Sequence, residues 1–246
     1  MSNSLFQKYS AKHIYFYDKI VPAFVQLGLS LARKQSKRCT IIDLGCGDGG
    51  LIFALRENKL LFEDDEIWGV DISSDRINRL RALLPLSRCI TDNILNVREL
   101  PDFSFDFVIC SQVIEHVNDR KLLREIRRLL KMGGIAYVSS VIKKPYGVYF
   151  YFRNGGFRLD PTHVREYSSL EEFSRLISNQ GFKTIAKSSA PIIFPIVDLV
   201  LRLFIEIGLA VPNAKFFLCH NNLRRLRKLC VQILGYREVE VLVRRK

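Results

Sequence analysis

Motif-grade cysteine and histidine are missing from these 246 residues. The six cysteines, Cys39, Cys46, Cys89, Cys110, Cys219 and Cys230, include no pair with CxxC spacing, and only four histidines accompany them. The common zinc motifs are therefore excluded, and no metal site is expected. The cysteines read as reduced thiols used as small hydrophobes. No run of about 20 uncharged apolar residues occurs, so no membrane span is expected. The opening MSNSLFQKYSAKH is polar and carries no apolar signal core, which points to a cytoplasmic chain. Acidic residues are in the minority. Twenty-five Asp and Glu against 38 Lys and Arg leave a net charge of +13, which favours anionic partners such as nucleic acid, acidic lipid or a phosphorylated small molecule.

What is present is a regular alternation of apolar strands and amphipathic helices. Phe6, Tyr9, His13, Tyr17 and Ile20 recur at spacings of three and four, so the first 36 residues read as a helical cap. Strands are expected at 39–44, 66–72, 88–91, 105–111 and 135–141, with helices at 51–59, 75–84 and 118–131, the last ended by Gly133 and Gly134. Ser168-x-x-Glu171 or Ser169-x-x-Glu172 opens a further helix that Gly181 closes. FKTIAKS (182–188) and YREVEVLVRR (236–245) are a sixth and a seventh strand. This series implies one α/β domain with a Rossmann-like, seven-stranded, mostly parallel sheet and helices on both faces. The last strand is expected antiparallel, and a helical insertion separates strands six and seven. The expected parts are the cap 1–36, a cofactor-binding core 37–142, an acceptor-site flap 143–168 and the insertion 190–235.

The strongest signal is Asp43-Leu44-Gly45-Cys46-Gly47-Asp48-Gly49-Gly50, between strand one and a helix. Glycines there allow a sharp turn and let a ligand approach the backbone at a helix N-terminus. GCGDGG also satisfies the dinucleotide fingerprint, so a nicotinamide-dependent reading stands beside it. Three carboxylates separate the two. Asp43 would repel a pyrophosphate but suits the cationic amino group of a methionine moiety. Asp71 ends strand two, where it can accept both ribose hydroxyls. Asp92 ends strand three, where it can accept an exocyclic adenine amine.

IIDLGCGDGG, WGVDIS, TDNI, FDFVICSQVIEHV, the GG-IAYVSS strand and HVREYSSLEEFSRLISNQGF occur in this order over 37–187. With them the chain resembles the class I S-adenosylmethionine-dependent methyltransferases, close to the type 11 group of small-molecule enzymes. The resemblance implies S-adenosyl-L-methionine as cofactor. It implies that Gly45, Gly47 and Gly49 pack under the cofactor, with Cys46 and Ile72 beside them. It also implies Asp71 on the ribose, Asp92, Asn93 and Ile94 around the adenine, and Ser111 near the methionine.

Methyl transfer to a hydroxyl needs a positioned proton acceptor. Glu115 and His116 follow strand four, and His163 lies in DPTHVREYS after strand five. Both places belong to the carboxyl edge of the sheet, where ligands bind in open α/β folds. These three are the candidate catalytic residues, with Asp160 and Tyr167 as further candidates. After strand four the chain reads Ser111-Gln112-Val113-Ile114 rather than the Asn/Asp-Pro-Pro-aromatic element of base N-methylation. A small-molecule or lipid-like acceptor and O-methylation are therefore expected. RNA methylation and a catalytically silent cofactor-binding scaffold are the alternatives.

Two segments depart from a minimal chain of this kind. The flap carries Tyr146, Tyr149, Phe150, Tyr151, Phe152, Phe157, Arg153 and Arg158, a set suited to a hydrophobic acceptor with an anionic group. In the insertion, Pro195 and Pro212 bracket an apolar helix with Asp198, Arg202 and Glu206 four apart. A basic stretch follows it. From 215 to 246 there are nine Lys and Arg and two Glu, nine minus two giving +7. An apolar helix beside a basic one suits an anionic membrane surface, so peripheral attachment at the inner membrane face is expected through 190–235.

Overall fold

The computed structural model describes residues 19–246 other than 86, 149–150, 154–155 and 207–227. Helix α1 (Ala23–Arg33) precedes β1 (Thr40–Leu44), α2 (Gly50–Glu57), β2 (Glu66–Asp71), α3 (Ser74–Leu83), β3 (Arg88–Thr91) and β4 (Phe105–Ser111). A 3-10 turn (Ile114–His116) leads to α4 (Asp119–Leu129), β5 (Leu130–Lys143) and a hairpin, β6 (Tyr151–Arg153) with β7 (Gly156–Arg158). Then come α5 (Leu170–Ser178), β8 (Phe182–Pro195), α6 (Ile196–Glu206) and β9 (Cys230–Arg245).

Seven strands form one sheet in the order β3-β2-β1-β4-β5-β9-β8. The pairs from β3 to β5 are parallel, and β9 runs antiparallel to both β5 and β8. This is the expected Rossmann-like sheet. Its central strands are buried on both faces, and the two-residue period of a strand divides their side chains. Ile42, Leu44, Val108, Cys110, Ala136 and Val138 pack with α4 and α5. Ile41, Phe107, Ile109, Ile135 and Tyr137 pack with α1 and α2 on the other face. Each fully buried Val, Leu, Ile or Phe among them contributes about 1.5–3 kcal/mol.

Side-chain caps set three of the helix starts. Ser73 Oγ accepts from Arg76 N–H, and Asn118 Oδ1 accepts from Lys121 N–H. Of the two capping boxes the sequence offers, the protein uses Ser169-x-x-Glu172, with Ser169 Oγ accepting from Glu172 N–H at 3.1 Å. The returning Glu172 Oε2 accepts from Ser168 N–H at 2.8 Å.

Two expectations change. Helix α4 stops at Leu129 and the chain enters β5 at once, so Gly133 and Gly134 lie inside the strand instead of capping the helix. Leu130 pairs with Phe105 of β4, so the sheet ladder takes the chain into the strand before the glycines are reached. The insertion 190–235 is not helical throughout. Strand β8 runs on to Pro195 and β9 begins at Cys230, so the ladder continues beyond the expected strands, with irregularities at Thr184/Ala186 and Pro191/Ile193. Strand β8 is the sheet edge, where prolines cost no interior hydrogen bond. Only α6 of the expected helical part is described, and it starts directly after Pro195. The Lys215–Lys228 stretch belongs to the undescribed 207–227 but for Lys228, and the expected helix over the first residues lies outside up to residue 18. Among the described residues no helix is long and apolar enough to cross a membrane.

Candidate active site

Strands β1 and β4 are neighbours at the point where strand order reverses, so the loops at their carboxyl ends face each other. Such a switch point is where open α/β sheets bind ligands. After β1 the chain turns through Gly45, Gly47 and Gly49, with φ of +78°, +54° and +81°. A Cβ on Gly45 would lie 2.5 Å from Val113 Cγ2, and one on Gly49 would lie 2.1 Å from Leu80 Cδ1. A Cβ on Gly47 would meet nothing closer than Arg76 Nη1 at 3.5 Å. Gly45 and Gly49 are thus required by packing, whereas a Cβ on buried Gly47 would find room. Cys46 points its side chain into the core with Ile52, Ile77 and Leu80. Its N–H donates to Val70 O at 3.1 Å, and its thiol donates to Gly47 O within the loop at 3.7 Å.

Asp43 and Asp71 are buried beside this loop at 4% and 5% exposure. Asp71 Oδ2 accepts from Gly47 N–H at 3.0 Å and Oδ1 from Ser73 N–H at 2.9 Å. Asp43 has no such compensation. Burial, with a smaller contribution from Asp71, pushes its carboxyl up to about 7. Two buried carboxylates without a cation are costly, and a ligand bearing positive charge relieves that cost. Asp92 is half-buried with Oδ1 on Asn93 N–H, Ile94 is buried, Asn93 is exposed, and Ile72 projects at 51% exposure. Asp92 N–H donates to Asp71 O, which puts the two strand ends together. Ser111 Oγ lies 3.1 Å from Ser139 Oγ.

The second half of the site follows β4. Gln112 adopts φ +55°, a left-handed conformation uncommon outside glycine. Its amide nitrogen reaches Glu238 Oε1 at 2.9 Å. Beyond it Glu115 is fully buried, with Oε2 accepting from Ser140 Oγ at 2.9 Å. Burial raises its carboxyl to about 7, against the opposing pull of His163. His116 and His163 meet edge to face with ring centroids 4.7 Å apart. Thr162 donates its hydroxyl to Asp160 Oδ1, so its oxygen accepts from His116 Nδ1–H at 2.8 Å, which leaves the Nε2 lone pair bare. Burial drives His116 down to about 4, and it is neutral at physiological pH. His163 Nδ1 donates to Glu166 Oε1 at 2.9 Å, and Glu166 also accepts from Leu159 N–H. Burial opposes the charge on His163, but Glu166, Glu115 and Asp160 outweigh it and hold the imidazole above its ordinary value.

The fold therefore gathers all three candidate catalytic residues in one cluster, with Asp160 bound to it through Thr162. Tyr167 is buried behind them against Phe173, and its main chain pairs with β5. Sequence reasoning missed Thr162, Glu166 and Ser140, which orient His116, His163 and Glu115. Thr162 and Glu166 flank His163 in the motif already noticed, and that was the available signal. In the flap the side chains of Tyr149, Phe150, Tyr151, Phe152 and Arg153 lie outside the described residues, while Phe157 and Arg158 are half-buried and Tyr146 is exposed.

Residues 42–138, the glycine loop through β5, match the methyltransferase domain family of type 11. The chain belongs to the class I S-adenosylmethionine-dependent methyltransferases. An uncharacterised protein of Methanocaldococcus jannaschii is 30% identical over 181 residues, 72% of the methyltransferase and 74% of that protein. A ubiquinone/menaquinone biosynthesis C-methyltransferase of Campylobacter jejuni is 29% identical over 171 residues, 61% and 72% of the two chains. Among solved structures, an S-adenosylmethionine-dependent methyltransferase of Archaeoglobus fulgidus superposes over the whole of both chains with a TM-score of 0.52 at 17% identity. A geranyl diphosphate methyltransferase in complex with S-adenosylmethionine gives 0.57 at 14% identity, covering 91% of the methyltransferase and 85% of that chain. The buried, uncompensated Asp43 fits this cofactor, because a methionine ammonium would supply the positive charge that favours its ionised form.

Proposed function

We propose that the enzyme methylates an oxygen of a small-molecule or lipid-like acceptor, held between the glycine loop and the Glu115–His116–His163 cluster. The observation that carries this reading is the placement of the cluster. Val113, three residues before His116, packs against Gly45 of the cofactor loop, so proton-accepting groups stand next to the methyl donor's loop. When bound, S-adenosylmethionine supplies an electrophilic methyl group on a sulfonium sulfur. Asp71 holds the loop through Gly47 and Ser73 and receives the ribose, Asp43 receives the ammonium group, and Asp92 with Asn93 and Ile94 receives the adenine. Neutral His116, with its Nδ1–H tied to Thr162, and Glu115, with one unpaired oxygen, offer the two lone pairs that can take the acceptor's proton.

The lipid-like class is supported by exposed apolar residues of α6. Ile196, Val200, Leu203 and Phe204 of α6 are all exposed by 42% or more, beside a strongly basic sequence. On this reading the enzyme is cytoplasmic and attaches peripherally to the inner face of an anionic membrane. Relatives include both a quinone C-methyltransferase and a quinone O-methyltransferase, so the test must report the product. Incubation with methyl-labelled cofactor and fractionated cell extract, followed by mass spectrometry, should place label in an O-methyl group of a small organic or lipid fraction. Label confined to RNA or protein, or found only in C-methyl products, would refute the proposal. No label in any fraction, with cofactor still bound, would favour the silent scaffold.

A further inference from the structure

Three donors, two imidazoles and one carboxylate, converge in the acceptor-side cluster. One ligand atom each from Glu115, His116 and His163 lie within 4.8 Å of one another. Glu115 Oε1 is 3.9 Å from His163 Nε2. That oxygen belongs to a fully buried residue and has no hydrogen-bond partner. A buried carboxylate oxygen left unpaired costs at least about 1–3 kcal/mol unless something compensates it. Both imidazoles are pinned from behind, His116 by Thr162 and His163 by Glu166. Holding one ring nitrogen by an oxygen acceptor fixes ring orientation and leaves the other nitrogen's lone pair to the front. Metal-ligating histidines are held in the same way.

We propose that Glu115, His116 and His163 form a binding site for one divalent transition-metal cation. Two imidazoles and one carboxylate suit manganese, iron, cobalt or zinc, whereas magnesium and calcium prefer oxygen alone. Ligand bonds of about 2.0–2.2 Å set neighbouring donors roughly 3.0–3.5 Å apart, so the donors close by about an ångström on loading. The three ligands leave coordination positions for the acceptor's oxygen. The inference rests on the reading of this cluster as the acceptor-activating group and changes how it acts. With the cation bound, the acceptor hydroxyl loses its proton to water because the cation lowers the hydroxyl's pKa. The oxygen's electron pair forms the new bond to the methyl carbon, and the breaking carbon–sulfur bond returns its pair to sulfur, leaving a neutral thioether.

The test is titration of the chelator-stripped full-length protein with cobalt(II), followed by visible absorption, with S-adenosylmethionine affinity measured by calorimetry on the same samples. One equivalent should bind with nitrogen-ligated ligand-field bands, and magnesium should not displace it at equal concentration. Glu115→Gln and His163→Asn should each weaken cobalt binding at least about tenfold. Glu166→Gln, which leaves all three ligands in place, should also weaken it about tenfold with cofactor affinity unchanged. Cofactor binding without saturable cobalt binding would overturn the metal site and leave the cofactor reading intact. Cobalt binding equal in wild type and all three variants would overturn it too. Loss of both ligands in the wild-type protein would overturn the cofactor reading as well.

Discussion

At the scale of single residues, Asp43 carries a stability cost that a cationic ligand would relieve. Its carboxyl stands at about 7 in the folded chain against 3.8 for a free side chain. Between those values the folded state keeps a proton that the unfolded state has released, so folding stability falls as pH rises from about 4 through 7. Asp43→Asn removes that fall. The variant should match wild type near pH 4 and exceed it in thermal stability at pH 8, by up to roughly 4 kcal/mol at 1.36 kcal/mol per pKa unit. It should also lose cofactor binding. The wild type should show the converse dependence in calorimetry. A cationic ligand needs the carboxylate, so affinity should rise about tenfold from pH 6 to pH 8 with proton release on binding. Affinity that is flat over this range would show that Asp43 does not face the ammonium.

At the scale of elements, the glycine loop separates two kinds of requirement. Gly49→Ala should destabilise the fold by about 2 kcal/mol or more, since φ +81° is strained for alanine and the new Cβ meets Leu80. Gly47→Ala should cost only about 1 kcal/mol of backbone strain, yet weaken S-adenosylmethionine binding at least tenfold, because its Cβ enters the space a ligand would fill. Thermal melts and calorimetry on the two variants measure both, and equal losses of stability would contradict the distinction. The loop itself was legible in the sequence because its constraints are local, as were the apolar strand 105–111 and the cap at Ser169. The end of α4 was not legible. Gly133 and Gly134 resemble a helix stop, but the pull on Leu130 comes from Phe105 in a neighbouring strand. The extension of β8 was hidden in the same way, since Ile193, Phe194 and Pro195 pair with Gln232, Val231 and Cys230 across some 35 residues of sequence. Within the site the three candidate side chains could be named in advance. Their partners could not, because Ser140 reaches Glu115 over 25 residues and Thr162 reaches His116 over 46.

At the scale of the whole molecule, charge and exposed apolar surface sit in the same part of the chain. The net +13 is concentrated late in the sequence, and the paired strands β8 and β9, with the residue before β9, also expose Ile193, Leu229, Val231 and Leu234. Apolar contact and attraction to anionic headgroups act together in peripheral attachment, and they respond differently to salt. The Coulombic part is screened over about 8 Å at physiological ionic strength and about 3 Å at 1 M, while the apolar part is not weakened. Flotation with vesicles containing anionic lipid should therefore recover the enzyme at low salt, less of it at 1 M, and little with neutral vesicles. Leu203→Asp combined with Phe204→Asp removes two side chains worth about 1.5–3 kcal/mol each when buried. The pair should lower recovery at least tenfold while S-adenosylmethionine affinity stays within twofold, because α6 contributes nothing to the glycine loop. Background recovery of the wild type with both vesicle types would remove the membrane reading. In that case sedimentation that shows a dimer, lost in the same double variant, would assign the apolar face to a second copy of the chain.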